Sequence, residues 1–340
     1  MQKQGGRKNS GRSITQWVVG FIALAVGLTV VVGTGFAQSK NRLPEFKVIG
    51  QDWTYVAREK GWLDKPFEKD GTKVKIVETP TGTEGALMAR GDLHIAERMI
   101  YAAMQFKVAG FDITVVDTSK HPDPNVVSIM VPSDSPVKKF EDLKGKKIAS
   151  TRGGCPYLVL LEMAEGRGWD VDKDIQYLNM PSSEYKALII AKQVDAISMH
   201  PTAEIAPLLQ NGFAREIAYP AKNSLYIQGG GVYVNFTPSE LAKDHPDVVK
   251  KYLTIRYKTL QWIEKNQDEA AAIVQKVRRT PPEVSKFAWS RRFATWKPER
   301  NYEKVVTETA RLQDWLIKIG DYKPEKKIDL RKYIDPQYYR

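Results

Sequence analysis

Cysteine is almost absent from this chain: Cys155 is the only one in 340 residues. No disulfide can form within the chain, so its fold must be held by a packed core. One thiol also excludes a thiolate metal cluster, and the four histidines, His94, His121, His200 and His245, show no ligand-type spacing. No cofactor-binding motif or base-plus-nucleophile pair stands out. Basic residues outnumber acidic ones, 52 to 40, but they are scattered among the acids and form no continuous stripe or nucleic-acid reading motif.

What is present begins with a distinct N-terminus. Lys3, Arg7, Lys8 and Arg12 precede a charge-free apolar run over residues 17–32, and Gly35, Phe36 and Ala37 then offer small residues suited to a signal peptidase. The expectation is a secretory signal peptide over residues 1–37, cleaved near Ala37, with an uncleaved membrane anchor as the alternative. Cleavage removes four basic residues and no acid, lowering the net charge from +12 to +8. The remaining surface suits an anionic ligand or an anionic membrane face. At 42% hydrophobic content the chain can build one large or two medium domains.

From Glu45 short strands alternate with helices: FKVIG, KVKIVET, DLHIA and ITVVD are separated by helical runs over residues 54–60, 84–90 and 101–108. Such a series predicts a mainly parallel sheet covered by helices, an α/β class. Its strand-to-helix turns, Gln51-Asp52-Trp53, the loop 79–83 with Thr81, Gly82 and Thr83, and Glu97-Arg98-Met99, would converge on the carboxyl edge where open sheets bind ligands. After VVSIMV and the break PSDSP a second series follows, with strands at residues 146–150, IQYLN, VDAISM and REIAY. The run SLYIQGGGVYVN reads as an extended return, and residues 239–320 as helices packing back on the first half. The predicted layout is a first lobe over residues 38–133, a second over 134–224, and a return over 225–340, with crossings near 131–135 and 224–231.

The chain is organised around residues 146–168, where a strand, a small-residue turn and a helix entered at Pro156 succeed one another. Free N–H groups and the helix dipole make Thr151, Arg152, Gly153, Gly154, Cys155 and Tyr157 a seat for an anion, although an ordinary strand-to-helix turn reads the same way. Arg98 and Arg152 would face each other from the two lobes, unless Glu97 pairs with Arg98. His200, in Met199-His200-Pro201, is a donor to an anion or a structural histidine. Trp53 and Tyr157 could sandwich a planar ligand. The cluster Trp289, Arg291, Arg292 and Trp296 reads as helix packing, with permease docking as the alternative.

Three long patterns, KKFEDLKGKKIA, DVDKDIQYLNMPSSEYKALIIAKQVDA and HPDVVKKYLTIRYKTLQWIEKNQDEAA, resemble the solute-binding proteins of ABC importers, in the branch for sulfonates, taurine and nitrate. The resemblance covers nearly all of the chain after the leader. It implies the periplasmic-binding-protein fold, two α/β lobes with two crossings of type II kind, and a monomer that binds a small-molecule anion without chemistry or cofactor. It further implies delivery to a permease driven by an ATPase, and ligand contact by Gln51, Asp52, Trp53, Thr81, Gly82, Thr83, Arg98, Met99, residues 151–157 and His200. Relatives often carry a Trp-acid-Pro turn where this chain has Met199-His200-Pro201, and small hydroxyl and glycine residues where it has Glu97-Arg98-Met99, so the ligand is not carried over. Enzymes that build the thiamine pyrimidine also resemble the family, and a ligand-sensing domain for a membrane kinase is a third reading.

Overall fold

The first strand, β1 (Glu45–Ile49), runs into a helix, Asp52–Glu59, and the junction is fixed locally. The Thr54 hydroxyl accepts the Gln51 N–H at 2.9 Å and donates to the Gln51 carbonyl at 2.6 Å, closing the helix entry. This computed structural model describes residues 42–200 and 205–340. The leader over residues 1–37 and Pro201 lie outside them. No helix among the described residues is long and apolar enough to cross a membrane.

β2 (Lys73–Val77) pairs with β1 in parallel, and a parallel bridge between Val48 and Ile95 ties β1 to the segment entering β3 (Ala96–Met99). β4 (Ile113–Ser119) completes the first series. The expected mainly parallel sheet is interrupted here. The returning strand β10 (Tyr233–Pro238) inserts antiparallel between β3 and β4, and β11 (Pro298–Glu299) adds antiparallel to β4. Glu97, Arg98 and Met99 are strand residues, not a turn, because their backbones are taken by this pairing, with Met99 opposite Tyr233. A helix, Ile100–Val108, follows directly.

The second sheet has the order β7-β6-β8-β5-β9, built from β5 (Ser128–Pro132), β6 (Lys147–Ser150), β7 (Gln176–Asn179), β8 (Ala196–Met199) and β9 (Ala214–Ala218). β6 is parallel to β7 and β8, whereas β5 is antiparallel to β8 and β9. The chain therefore passes between sheets after Ser119 and before Ser128, upstream of the crossing expected at residues 131–135. The cause is β5 itself: its apolar run pairs with β8 and β9, not with the first sheet.

Successive strand residues point to opposite faces, so the second sheet supports two cores. Ile129, Val131, Ile148 and Ala196 join one cluster, while Met130, Ala149 and Ile197 join the other. The largest core unites the first sheet with the C-terminal helices: Phe46, Val48 and Val115 pack in one cluster with Tyr252, Leu260 and Leu312. Removing about 25 cal/mol per Å² of apolar surface from water is what returns these helices to the first half.

The second passage, expected as an extended run, holds a π-helical turn at Tyr226–Gly230. Glu162, on the helix Cys155–Glu165, accepts the N–H groups of Leu225 and Tyr226 and so caps the start of that turn. The passage is tightly packed at Gly230, where a Cβ would lie 2.6 Å from Leu158 Cδ2 and displace that side chain.

Candidate ligand-binding site

A cavity of about 640 Å³ lies where the carboxyl ends of strands from both sheets meet the C-terminal helices. That volume falls within the range of small-molecule sites. From the first sheet come Gln51, Asp52, Trp53, Thr81, Gly82, Arg98 and Met99; from the second, Thr151, Arg152, Gly153, Gly154, Cys155, Met199 and His200. Thr83 and Tyr157 do not reach it. The Thr83 hydroxyl is turned back to the Pro80 carbonyl at 2.7 Å, and Tyr157, 1% exposed, is packed into a core of the second sheet. A Trp53 and Tyr157 sandwich is therefore absent. Trp53 lies edge-on to Tyr252, their ring centres 5.1 Å apart.

The turn after β6 is built by its neighbours. The Arg152 N–H donates to Asn179 Oδ1 at 2.9 Å, the Thr151 hydroxyl donates to the Met180 carbonyl at 2.8 Å, and Gly153 takes a φ of +79° that a side chain would strain. The eleven-residue helix Cys155–Glu165 then starts with Gly154 as its cap and Pro156 in its first turn. The N–H groups of Gly153 and Cys155 find no acceptor among the described residues, as a helix N-terminus leaves them.

Four arginines line the cavity, Arg98, Arg152, Arg278 and Arg292, and three are already engaged. Arg98 donates through Nε to Glu84 Oε1 at 2.7 Å, not to its neighbour Glu97; Glu84 is fully buried and also accepts the Gly82 N–H at 2.9 Å. Arg152 donates to Asp172 at 2.7 Å and lies over the rings of Tyr157 and Tyr177. Arg278 donates to Asp52 Oδ1 at 3.1 Å, while Asp52 Oδ2 accepts Trp289 Nε1 at 2.9 Å.

Arg292 differs from the other three. Its nearest carboxylate oxygen, Glu97 Oε1, is 3.8 Å from Nη2, beyond hydrogen-bond reach, and its Nε is enclosed without a partner among the described residues. Its guanidinium lies 4.6 Å above the Tyr233 ring, and 32% of the side chain still meets open space. Glu97 instead accepts Arg256 Nε at 2.8 Å in a fully enclosed pair. Burial works to raise the Glu97 pKa, but Arg256, with Arg292 behind it, outweighs burial and holds the carboxyl below its ordinary range.

His200 is neutral in this setting. Burial first, then the charges of Arg292 and Arg98, push its pKa down to about 4 against the opposing bond to the Val126 carbonyl. A neutral ring whose Nδ1 lies 2.8 Å from a carbonyl oxygen carries its proton on Nδ1 and leaves Nε2 an acceptor. His200 is thus not a cationic donor to an anion.

Arg278, Tyr233, Trp289 and Arg292 were not expected on the wall from sequence. The one local sign was the Trp-and-Arg density of residues 289–296, read as helix packing; Trp289 and Trp296 do pack, 3% and 5% exposed, but Arg292 between them reaches the cavity. No group of three or more His, Cys, Asp and Glu is placed to hold a metal among the described residues.

Comparison with known proteins agrees with this architecture. A Bacillus subtilis (strain 168) protein named for aliphatic sulfonate binding is 25% identical over 268 residues, 76% of this chain and 78% of its own. The periplasmic aliphatic sulphonate binding protein of Escherichia coli superposes with a TM-score of 0.74 at 20% identity, over 86% of this chain and 92% of that one. The alkanesulfonate-binding protein of Xanthomonas axonopodis pv. citri, bound to MOPS, gives 0.73 at 20% identity, over 86% and 98%. The fold is accordingly that of periplasmic binding proteins. The family described as NMT1/THI5 like matches residues 53–270, well over half of the sequence, and the chain belongs to it.

Proposed function

We propose that this protein is the extracytoplasmic solute-binding receptor of an ABC importer. It captures a small organic anion of sulfonate or carboxylate type between two lobes and hands it to a membrane permease driven by an ATPase. It acts as a monomer after export by its N-terminal segment, and does no chemistry. The names of its relatives support the class of ligand. The observation that carries the reading is Arg292, a cavity-facing guanidinium with no hydrogen-bonded carboxylate among the described residues.

Arg292 is paired with Glu97 only at 3.8 Å, and its Nε is enclosed without an acceptor, so an arriving anion gains charge-assisted hydrogen bonds that no group among the described residues makes. Two charge-assisted bonds at roughly 1.5 to 3 kcal/mol each provide much of the ~8 kcal/mol of a micromolar complex. The excess of positive charge is local. On the cavity wall four arginines, Arg98, Arg152, Arg278 and Arg292, meet three carboxylates, Asp52, Glu78 and Glu97, and Glu78 is 58% exposed and well screened. A thermal-shift screen with alkanesulfonates, arenesulfonates, carboxylates and inorganic nitrate tests the reading. Organic anions raise the melting temperature by mass action. A screen in which no anion shifts it removes the proposal.

A further inference from the structure

Two carboxylates lie near Arg292, and both are held by other groups. Asp52 is bonded through one oxygen to Arg278 and through the other to Trp289. Glu97 accepts Arg256 Nε at 2.8 Å while its second oxygen stops 3.8 Å from Arg292 Nη2. Arg256 has little freedom to leave. It is 1% exposed, on the long helix Pro246–Lys265, with its guanidinium 4.8 Å over the Tyr257 ring. Its other acidic neighbour, Asp117, is 3.9 Å away, beyond hydrogen-bond reach, and accepts from Tyr257, Arg300 and Asn235 at 2.6, 2.8 and 3.2 Å. Glu97 is therefore the carboxylate to which Arg256 is hydrogen-bonded, and a movement of about an ångström would let it bond Arg292 instead.

We infer that Arg256 is a positioning residue for ligand capture: by holding Glu97 Oε2 it keeps the other oxygen 3.8 Å from Arg292, out of hydrogen-bond reach, and so leaves the guanidinium donors free for an anion. The inference rests on the receptor reading and adds a specificity consequence. Guanidinium donors without a hydrogen-bonded carboxylate favour an ionised acceptor, so a neutral sulfonamide or carboxamide of the same shape binds more weakly.

The test compares Arg256→Met, Glu97→Gln and the double variant, with 1-butanesulfonate, MOPS and benzoate as calorimetric probes and a ligand-free crystal structure of Arg256→Met. Arg256→Met is expected to weaken the best-bound probe at least tenfold and to show Glu97 hydrogen-bonded to Arg292. Arg256→Met/Glu97→Gln, with neither charge left, is expected to return to within about threefold of the wild-type affinity. Rescue of this kind distinguishes capture of Arg292 by Glu97 from simple loss of packing. Should Arg256→Met not fold, Glu97→Gln alone decides: affinity equal to or above wild type supports the inference, and a loss overturns it. A double variant as weak as the single, or Glu97 unmoved in the crystal, also overturns it. If the wild type takes none of these three probes, the position of Glu97 in the variant crystal decides the inference, and the receptor reading stands or falls with the wider anion screen.

Discussion

Glu97 and Arg292 approach to 3.8 Å without a hydrogen bond, because Arg256 holds the carboxylate from the other side at 2.8 Å. An acid and a base this close inside a protein ordinarily join. Here the separation leaves a guanidinium facing a cavity, and the functional account follows from that arrangement.

Arg98 has a second duty as a strut. Replacing it with alanine leaves Glu84, fully buried, without its cation. Breaking such a pair costs about 3 kcal/mol, so urea unfolding of Arg98→Ala should show a loss of that order. Arg98→Ala/Glu84→Gln should recover most of it. Anion affinity of Arg98→Ala should fall at least about tenfold, or 1.4 kcal/mol, and unchanged affinity in calorimetry removes Arg98 from the site.

Stability should fall on acidification through His200. Its folded pKa of about 4 lies below the ordinary 6.5, so the unfolded chain takes up the proton first. The contribution is complete above about pH 6.5 and is lost as pH falls toward 4, at most about 3 kcal/mol. Thermal melts of wild type and His200→Phe across that window isolate the effect: the variant should show the shallower slope, and parallel curves contradict the assignment.

Cys155 offers a reporter, being the single thiol, fully enclosed at the start of its helix, and on the cavity wall. Its alkylation by iodoacetamide should be slow in the free protein and slower still with a bound anion. A rate indifferent to a saturating ligand places the ligand away from the 151–155 turn.

Much of this layout was legible in the residues, because its signals are local. The turns carrying Gln51, Gly82, Gly153 and His200 all reach the cavity, since Gly, Pro and capping signals mark where a strand yields to a helix. What escaped was long-range. The return of β10 between β3 and β4 made strand of Glu97 to Met99, and the pairing of β5 with β8 and β9 moved the first crossing upstream. Arg292 could not be placed without knowing which face of the last helices packs on the first sheet. The partner of Arg98 likewise lay fourteen residues earlier, not beside it.

The most direct measurement is isothermal titration of wild type and Arg292→Ala with an alkane- or arenesulfonate that stabilises the wild-type protein. One ligand per chain should bind the wild type, and Arg292→Ala should weaken it by about 10- to 100-fold with the ligand-free melting temperature preserved. Equal affinity in the two proteins would contradict the account.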